Sequence, residues 1–232
     1  MHLCVGLALL FASAWPLQTA AGNLPEAAAE ASGTAANPGL TGRSTALHRA
    51  AKLDRAHDIS QLLGAGADVN ARDEQGYTPL HQAIREESAN AVKALLASAE
   101  LDVAAITPAG ETPLMLAAIK GQLGWCQALV QRGAPVNEPG WNALHYAASG
   151  PSHEVVAWLL KQGATVDARA PNGNTALMMA LGYGSISAAE LLLQAGADPE
   201  LRNDKGLNTW DYARMAGRED MVRRLGLRRK PG

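Results

Sequence analysis

The chain has 232 residues, 47% of them hydrophobic and 18% charged, with a formal net charge of −2. That length holds one or two ordinary domains with ample apolar surface, and the near-neutral balance argues against a dedicated nucleic-acid binder, which carries a basic excess. Two cysteines exclude a disulfide-stapled scaffold and a multi-cysteine zinc site, while 46 alanines beside the single Phe11 require a core closed by tightly stacked backbones.

The first element in chain order reads as an address. Leu3 to Trp15, LCVGLALLFASAW, is an unbroken apolar or small run ended by Pro16. It is too short to span a hydrocarbon layer of about 30 Å as a helix, but it suits the h-region of a secretory signal. The stretch LQTAAG then offers small residues for cleavage after Ala21, so residues 1–21 are expected to be a signal peptide. The mature protein is therefore expected in the periplasm; an uncleaved leader would make it membrane-associated. Cys4 is not preceded by the Leu-small-small pattern of a lipoprotein, so no lipid anchor is expected. Removing residues 1–21 leaves Cys126 alone, and a lone thiol in an oxidising compartment is expected to be buried. Residues 22–41 are small and polar with prolines and no apolar period, the composition of a flexible linker.

A period of about 33 residues organises the rest. TALHRAA (45–51), TPLHQAI (78–84), TPLMLAA (112–118), NALHYAA (142–148) and TALMMAL (175–181) align, and NTWDYAR (208–214) is a divergent sixth. A second block recurs in phase: QLLGAGADVNAR, ALLASAELDVAA, ALVQRGAPVNEP, WLLKQGATVDAR and LLLQAGADPELR. Each unit reads as turn, short helix, short helix, hairpin. Thr78 can cap free N–H groups while Pro79 fits a first helical turn. Leu80 and Ala83 share one helical face, and Val92, Leu95 and Leu96 have the same kind of spacing in the second helix. Gly66, Gly133, Gly163 and Gly196 stand where a left-handed residue would end each second helix. Helices this short are unstable alone in water, so stability must come from stacking.

These blocks resemble the ankyrin repeat: TPLHxA stands intact at Thr78–Ala83, and GADVNA at Gly66–Ala71. The resemblance, which extends to small exported bacterial ankyrin proteins, implies an all-α ankyrin-repeat solenoid of about six helix-turn-helix units with β-hairpin fingers. The domain is expected to cover residues 42–227, with repeats near 42–72, 73–105, 106–137, 138–169, 170–202 and 203–227, followed by a basic tail at 228–232. In the last unit Trp210, Asp211 and Arg214 replace smaller or apolar residues, and Arg218, Arg223 and Arg224 give its outer helix the polar face that an array end requires. Two length changes stand out. ASAELDV replaces GAGADV after the second helix of repeat two, losing its glycine, so another turn is expected there. The hairpin before Trp141 is three residues short, so a notch is expected in the row of fingers.

Sites of chemistry are sparse. His48, His81 and His145 occupy equivalent positions, but stacked repeats lie about 10 Å apart, too far for one ion bound at about 2 Å. The ankyrin resemblance implies structural histidines bonded to loop backbone. Cys126 stands where other repeats carry Val92 and Val156, an apolar setting unsuited to a nucleophile. Gly182-Tyr183-Gly184-Ser185 lacks the third glycine of a dinucleotide fingerprint, and Arg72 interrupts the faint calcium-loop pattern of Asp68, Asn70 and Asp73. No catalytic site, metal or cofactor is expected. The tail from Arg218 to Lys230 is basic, which suits a solvated cap or, alternatively, contact with an anionic membrane or acidic partner.

Surface remains. The resemblance implies that a protein partner, of unknown identity, binds finger tips and exposed first-helix positions along a concave face. The finger positions are Ser44, Tyr77, Glu111, Trp141, Asn174 and Leu207; the helix positions are Lys52, Arg85, Ile119, Ser149 and Gly182. Of these, Tyr77, Trp141, Arg85, Glu111, Asn174, Leu207, Lys52 and Ile119 are the expected contacts. Tyr77 and Trp141 are large rigid aromatics expected at exposed tips, the residue type that anchors interfaces. Trp125 and Trp158 fall on second helices and are expected to lie between repeats. The expected function is that of an exported, monomeric, non-enzymatic binding module without nucleic acid. An immunity-type toxin neutraliser and a stress-protection factor are forms of it, and a membrane-surface adaptor is the alternative.

Overall fold

The computed structural model describes residues 38–227, which form twelve α-helices and no strand. The expected signal peptide, the tail at 228–232 and the linker up to residue 37 lie outside the described residues. The linker expectation is corrected at its end, because the first helix already begins at Pro38, whose fixed φ suits a first turn. The first helices are α1 (Pro38–Lys52), α3 (Pro79–Arg85), α5 (Pro113–Ile119), α7 (Ala143–Ser149), α9 (Ala176–Gly182) and α11 (Thr209–Met215). The second helices are α2 (Ala56–Gly64), α4 (Ala89–Leu96), α6 (Leu123–Gln131), α8 (His153–Lys161), α10 (Ile186–Gln194) and α12 (Glu219–Arg224).

Each first helix packs on its own second helix and on the first helices of its neighbours, and α2, α4, α6, α8 and α10 stack in a parallel row. The repeated residues supply the adhesive. Leu47, Leu80, Leu114, Leu144 and Leu177, at one position of the repeat, are all within 1% of full burial. On the second helices Ile59, Val92, Cys126, Val156, Ala189 and Val222 form an equally buried line. Cys126 is buried as expected, and desolvation pushes its thiol pKa up to about 12, which leaves it inert as a nucleophile.

Thr78, Thr112, Asn142, Thr175 and Asn208 each accept a hydrogen bond from a backbone N–H in the first turn of α3, α5, α7, α9 and α11. Ser88 makes no such bond at α4, and its role passes to Asp54 of the preceding repeat, whose Oδ1 accepts from the Ala91 N–H at 2.8 Å. Gly66, Gly133, Gly163 and Gly196 have φ between 84° and 95°, the left-handed conformation expected of them. Where repeat two lacks that glycine, the chain makes its extra turn, and Arg132 reaches back to donate to the Leu96 and Ser98 carbonyls.

The fingers are not β-hairpins; among the described residues no strand occurs. Each long connection is instead a tight loop closed by two backbone bonds, such as Asp73 N–H to Tyr77 O and Gly76 N–H to Asp73 O, both 2.9 Å. Equivalent pairs close the loops at Thr107–Glu111, Ala170–Asn174 and Asn203–Leu207. A two-bond loop leaves too little extended backbone for a ladder.

Candidate protein-binding face

Side chains three apart on a helix share a face, so each first helix turns a pair toward the finger-loop side, where Gln82, Leu116, Tyr146 and Met179 are nonetheless buried. The pairs run Arg49/Lys52, Gln82/Arg85, Leu116/Ile119, Tyr146/Ser149, Met179/Gly182 and Tyr212/Met215. Arg49, Lys52 and Arg85 are exposed, Ile119 is half-buried, and Met215 is 71% exposed. Ser149 and Gly182, expected on the open surface, are buried. The Ser149 hydroxyl donates to the His145 carbonyl at 3.0 Å, and the Tyr212 ring covers Gly182 so closely that an added Cβ would lie 3.1 Å from it.

The centre of the face is a polar-aromatic cluster. The Arg85 guanidinium lies 4.6 Å above the Tyr77 ring, and Tyr77 meets His81 edge-on at 6.2 Å between centroids. From the next finger, half-buried Glu111 accepts a 3.2 Å hydrogen bond from the Tyr146 hydroxyl. Burial raises the Glu111 pKa above its usual value, while the Tyr146 bond and the Arg85 charge oppose that rise. Burial likewise drives the Tyr146 phenol upward, reinforced by the Glu111 charge. Trp141 meets His145 edge-on at 5.3 Å. Tyr77 and Trp141 are thus half-buried, each backed by the histidine of its own repeat, and not the free exposed tips expected.

The histidines hold the loops. His48 bridges the Ser44 and Tyr77 carbonyls at 2.8 and 2.9 Å. His145 bonds Asn142 Oδ1 at 2.9 Å, and its Nε2 lies 3.0 and 3.1 Å from the Ala168 and Asn174 carbonyls. His81 bonds Thr78 Oγ1 at 2.8 Å, and its Nε2 faces the Ala105 and Glu111 carbonyls without a hydrogen bond of good geometry. Desolvation lowers the His81 pKa to about 4 and lowers that of His145 in the same way.

Of the expected contacts, Tyr77, Arg85 and Glu111 are brought into one cluster. Lys52 and Ile119 lie on the same face, and Leu207 sits half-buried in the last finger. Asn174 is a correction: it is 4% exposed, accepting from Asn203 Nδ2 and the Tyr212 hydroxyl, both at 2.8 Å. A finger position becomes interior when the following repeat supplies two donors to it. Tyr146 is the member that sequence reading missed; it is buried, and only its bond to Glu111 of the preceding repeat ties it to the cluster.

On the opposite side, Trp125 lies against Val92 and Leu96, lining an open apolar groove of about 480 Å³ between α4 and α6. Among the described residues, no group of three His, Cys, Asp or Glu is placed to hold a metal ion. No helix there is long and apolar enough to cross a membrane.

A family profile described as ankyrin repeats (3 copies) matches residues 17–106, 102–170 and 152–228. The chain is 37% identical over 139 residues to neurogenic locus notch homolog protein 1 of Xenopus laevis, a match covering 59% of this chain and 6% of that protein. It is 39% identical over 125 residues to neurogenic locus notch homolog protein 2 of Homo sapiens, covering 53% of this chain and 5% of that protein. The chain therefore spans only a small part of the curated relatives it matches. Among solved structures, a chain in the Bd0816 predatory endopeptidase from Bdellovibrio bacteriovorus in complex with immunity protein Bd3460 is 28% identical, with a TM-score of 0.68. That alignment covers 79% of this chain and 97% of the other. The buried leucine line, the capped short helices, the loop-holding histidines and the profile match converge: this chain belongs to the ankyrin-repeat family, whose repeats mediate protein–protein interaction.

Proposed function

We propose that the chain is an exported, monomeric, non-enzymatic module of six repeats that binds one protein along its concave side, formed by the first helices and finger loops. It acts by occupying its target's surface. The observation that carries this reading is the Arg85–Tyr77 and Glu111–Tyr146 cluster, a set of oriented aromatic and charged groups at the centre of that face. Interfaces draw their energy from a few such anchors. The hydrophobic run at Leu3–Trp15 supports export to the periplasm. The likeness to a chain from a peptidase–immunity protein complex supports an immunity-type role, with the target an enzyme whose working surface is covered.

The test is affinity capture by the mature protein from a periplasmic extract, with mass spectrometry of what is retained, repeated with Tyr77→Ala and Trp141→Ala. One protein retained by the parent and lost from both variants supports the proposal. Retention that is unchanged in both variants refutes the site. Turnover of a small substrate, abolished by changing one polar residue, refutes the non-enzymatic reading. An intact Met1 in membrane fractions would refute the periplasmic one in favour of a membrane-surface adaptor.

A further inference from the structure

Charge is unevenly placed on the first-helix face. Arg49 and Lys52 on α1 and Arg85 on α3 are exposed, and none forms an ion pair among the described residues. Many of the other cations are committed elsewhere. Arg43, Arg72, Arg132, Arg169, Arg202 and Arg218 each donate to backbone carbonyls, while Lys120 pairs with Glu87 at 3.0 Å. The three cations are therefore gathered, unpaired, at one end of a face on a chain whose net charge is −2. Of the carboxylates close in sequence or contact, Glu86 follows Arg85, Asp54 is taken up by Asn90 and Ala91, and Glu111 is engaged by Tyr146. Past Arg85 the same stripe turns apolar, with half-buried Ile119 and half-buried Trp141 accessible and Leu116 and Tyr146 buried beside them.

Resting on the reading of this face as the binding surface, we infer that its occupant is an extended acidic protein segment. Two or three carboxylates of that segment meet Arg49, Lys52 and Arg85, and a bulky apolar side chain follows to lie against Ile119 and Trp141. Electrostatic complementarity orients the segment and speeds its encounter, and the apolar anchor holds it. Stacked helices are about 10 Å apart, so the path from the first repeat to the fourth is about 30 Å. An extended chain covers that in about nine residues. Arg85 is the pivot, since its guanidinium is already held over Tyr77 and loses little freedom when it takes a carboxylate.

The probe is a fluorescein-labelled synthetic peptide of about twelve residues, with acidic residues in one half and Leu and Trp in the other. Two relatives replace every acid by Gln or by Lys. Binding to the full chain is followed by fluorescence anisotropy at rising salt. The inference expects the acidic peptide to bind, to weaken with salt, and to exceed the Gln and Lys peptides at least about tenfold. The double variant Arg49→Glu/Lys52→Glu should lose about tenfold or more of that affinity, while Lys161→Glu, at the end of α8, should not. Equal binding of the Lys peptide, or acidic binding that survives the double variant, overturns the inference. If such binding is still weakened by Trp141→Ala, the face is right and its charge preference wrong. If no peptide binds, the acidic-segment inference falls, and the broader reading stands or falls with affinity capture.

Discussion

The guanidinium of Arg85 lies over the ring of Tyr77, tying the end of α3 to the finger loop that precedes it. The charge of the same arginine opposes the burial-driven rise in the pKa of Glu111 in the next finger, so one cation organises side chains from two repeats. Arg85→Ala is expected to weaken partner binding about tenfold or more while leaving circular dichroism unchanged, since the side chain is exposed. Arg85→Lys should recover less than half of the lost binding energy, because a point ammonium lacks the planar stacking surface. Equal affinity of the Lys and Arg forms, measured by calorimetry against the captured partner, would rule out that geometric role.

Core leucines predict a separate class of effect. Leu95 on α4 has no exposed surface, and Leu95→Ala should cost about 2–5 kcal/mol through the lost transfer energy and the cavity left behind. Urea denaturation followed by far-UV circular dichroism measures it. Tyr77→Ala should cost about 1–2 kcal/mol, the worth of one aromatic edge contact and one exposed cation–π contact. Comparable losses at both positions would mean that Tyr77 is core and not surface.

What the sequence displays depends on the range of the interaction. The leucine line, the Thr and Asn caps, the buried Cys126 and the left-handed glycines follow from periods within one repeat, and these are readable before any coordinates exist. Contacts between repeats are not. Asp54 capping α4, Tyr212 burying Asn174 and Tyr146 meeting Glu111 all join residues 35 to 38 positions apart. They depend on the stacking register and on which rotamer reaches across. The fingers differ from the expectation for another reason: their turn residues are recognisable, but the loops at Asp73–Tyr77, Thr107–Glu111, Ala170–Asn174 and Asn203–Leu207 are each closed by two tight backbone bonds, with no strand among the described residues.

Arg132 shows how an irregular repeat is repaired. Its guanidinium donates to the Leu96 and Ser98 carbonyls at the turn that has no glycine, satisfying acceptors left by the end of α4. Arg132→Ala should therefore destabilise the chain by about 1–3 kcal/mol, the cost of charge-assisted bonds lost at a half-buried site. Amide exchange should quicken around Ser98 before it does in α8. A uniform increase along the array would contradict a local repair.

The buried histidines set the acid limit. His81 has no exposed surface, and its pKa falls from 6.5 to about 4 because the imidazolium would be desolvated; His145 shifts in the same direction for the same cause. Between those values the unfolded chain binds protons that the folded chain refuses, so stability falls as the pH drops below about 6.5. For His81 alone the loss should approach about 2–3 kcal/mol near pH 4. Glu111 works the other way: its raised pKa means that its protonation favours the folded state. The histidine effect is the one that begins as the pH drops below about 6.5. Melting temperatures measured from that pH downward should fall, and His81→Gln, which cannot titrate, should fall less steeply even if its starting stability is lower. A variant whose slope matches the parent would assign the acid sensitivity to other groups.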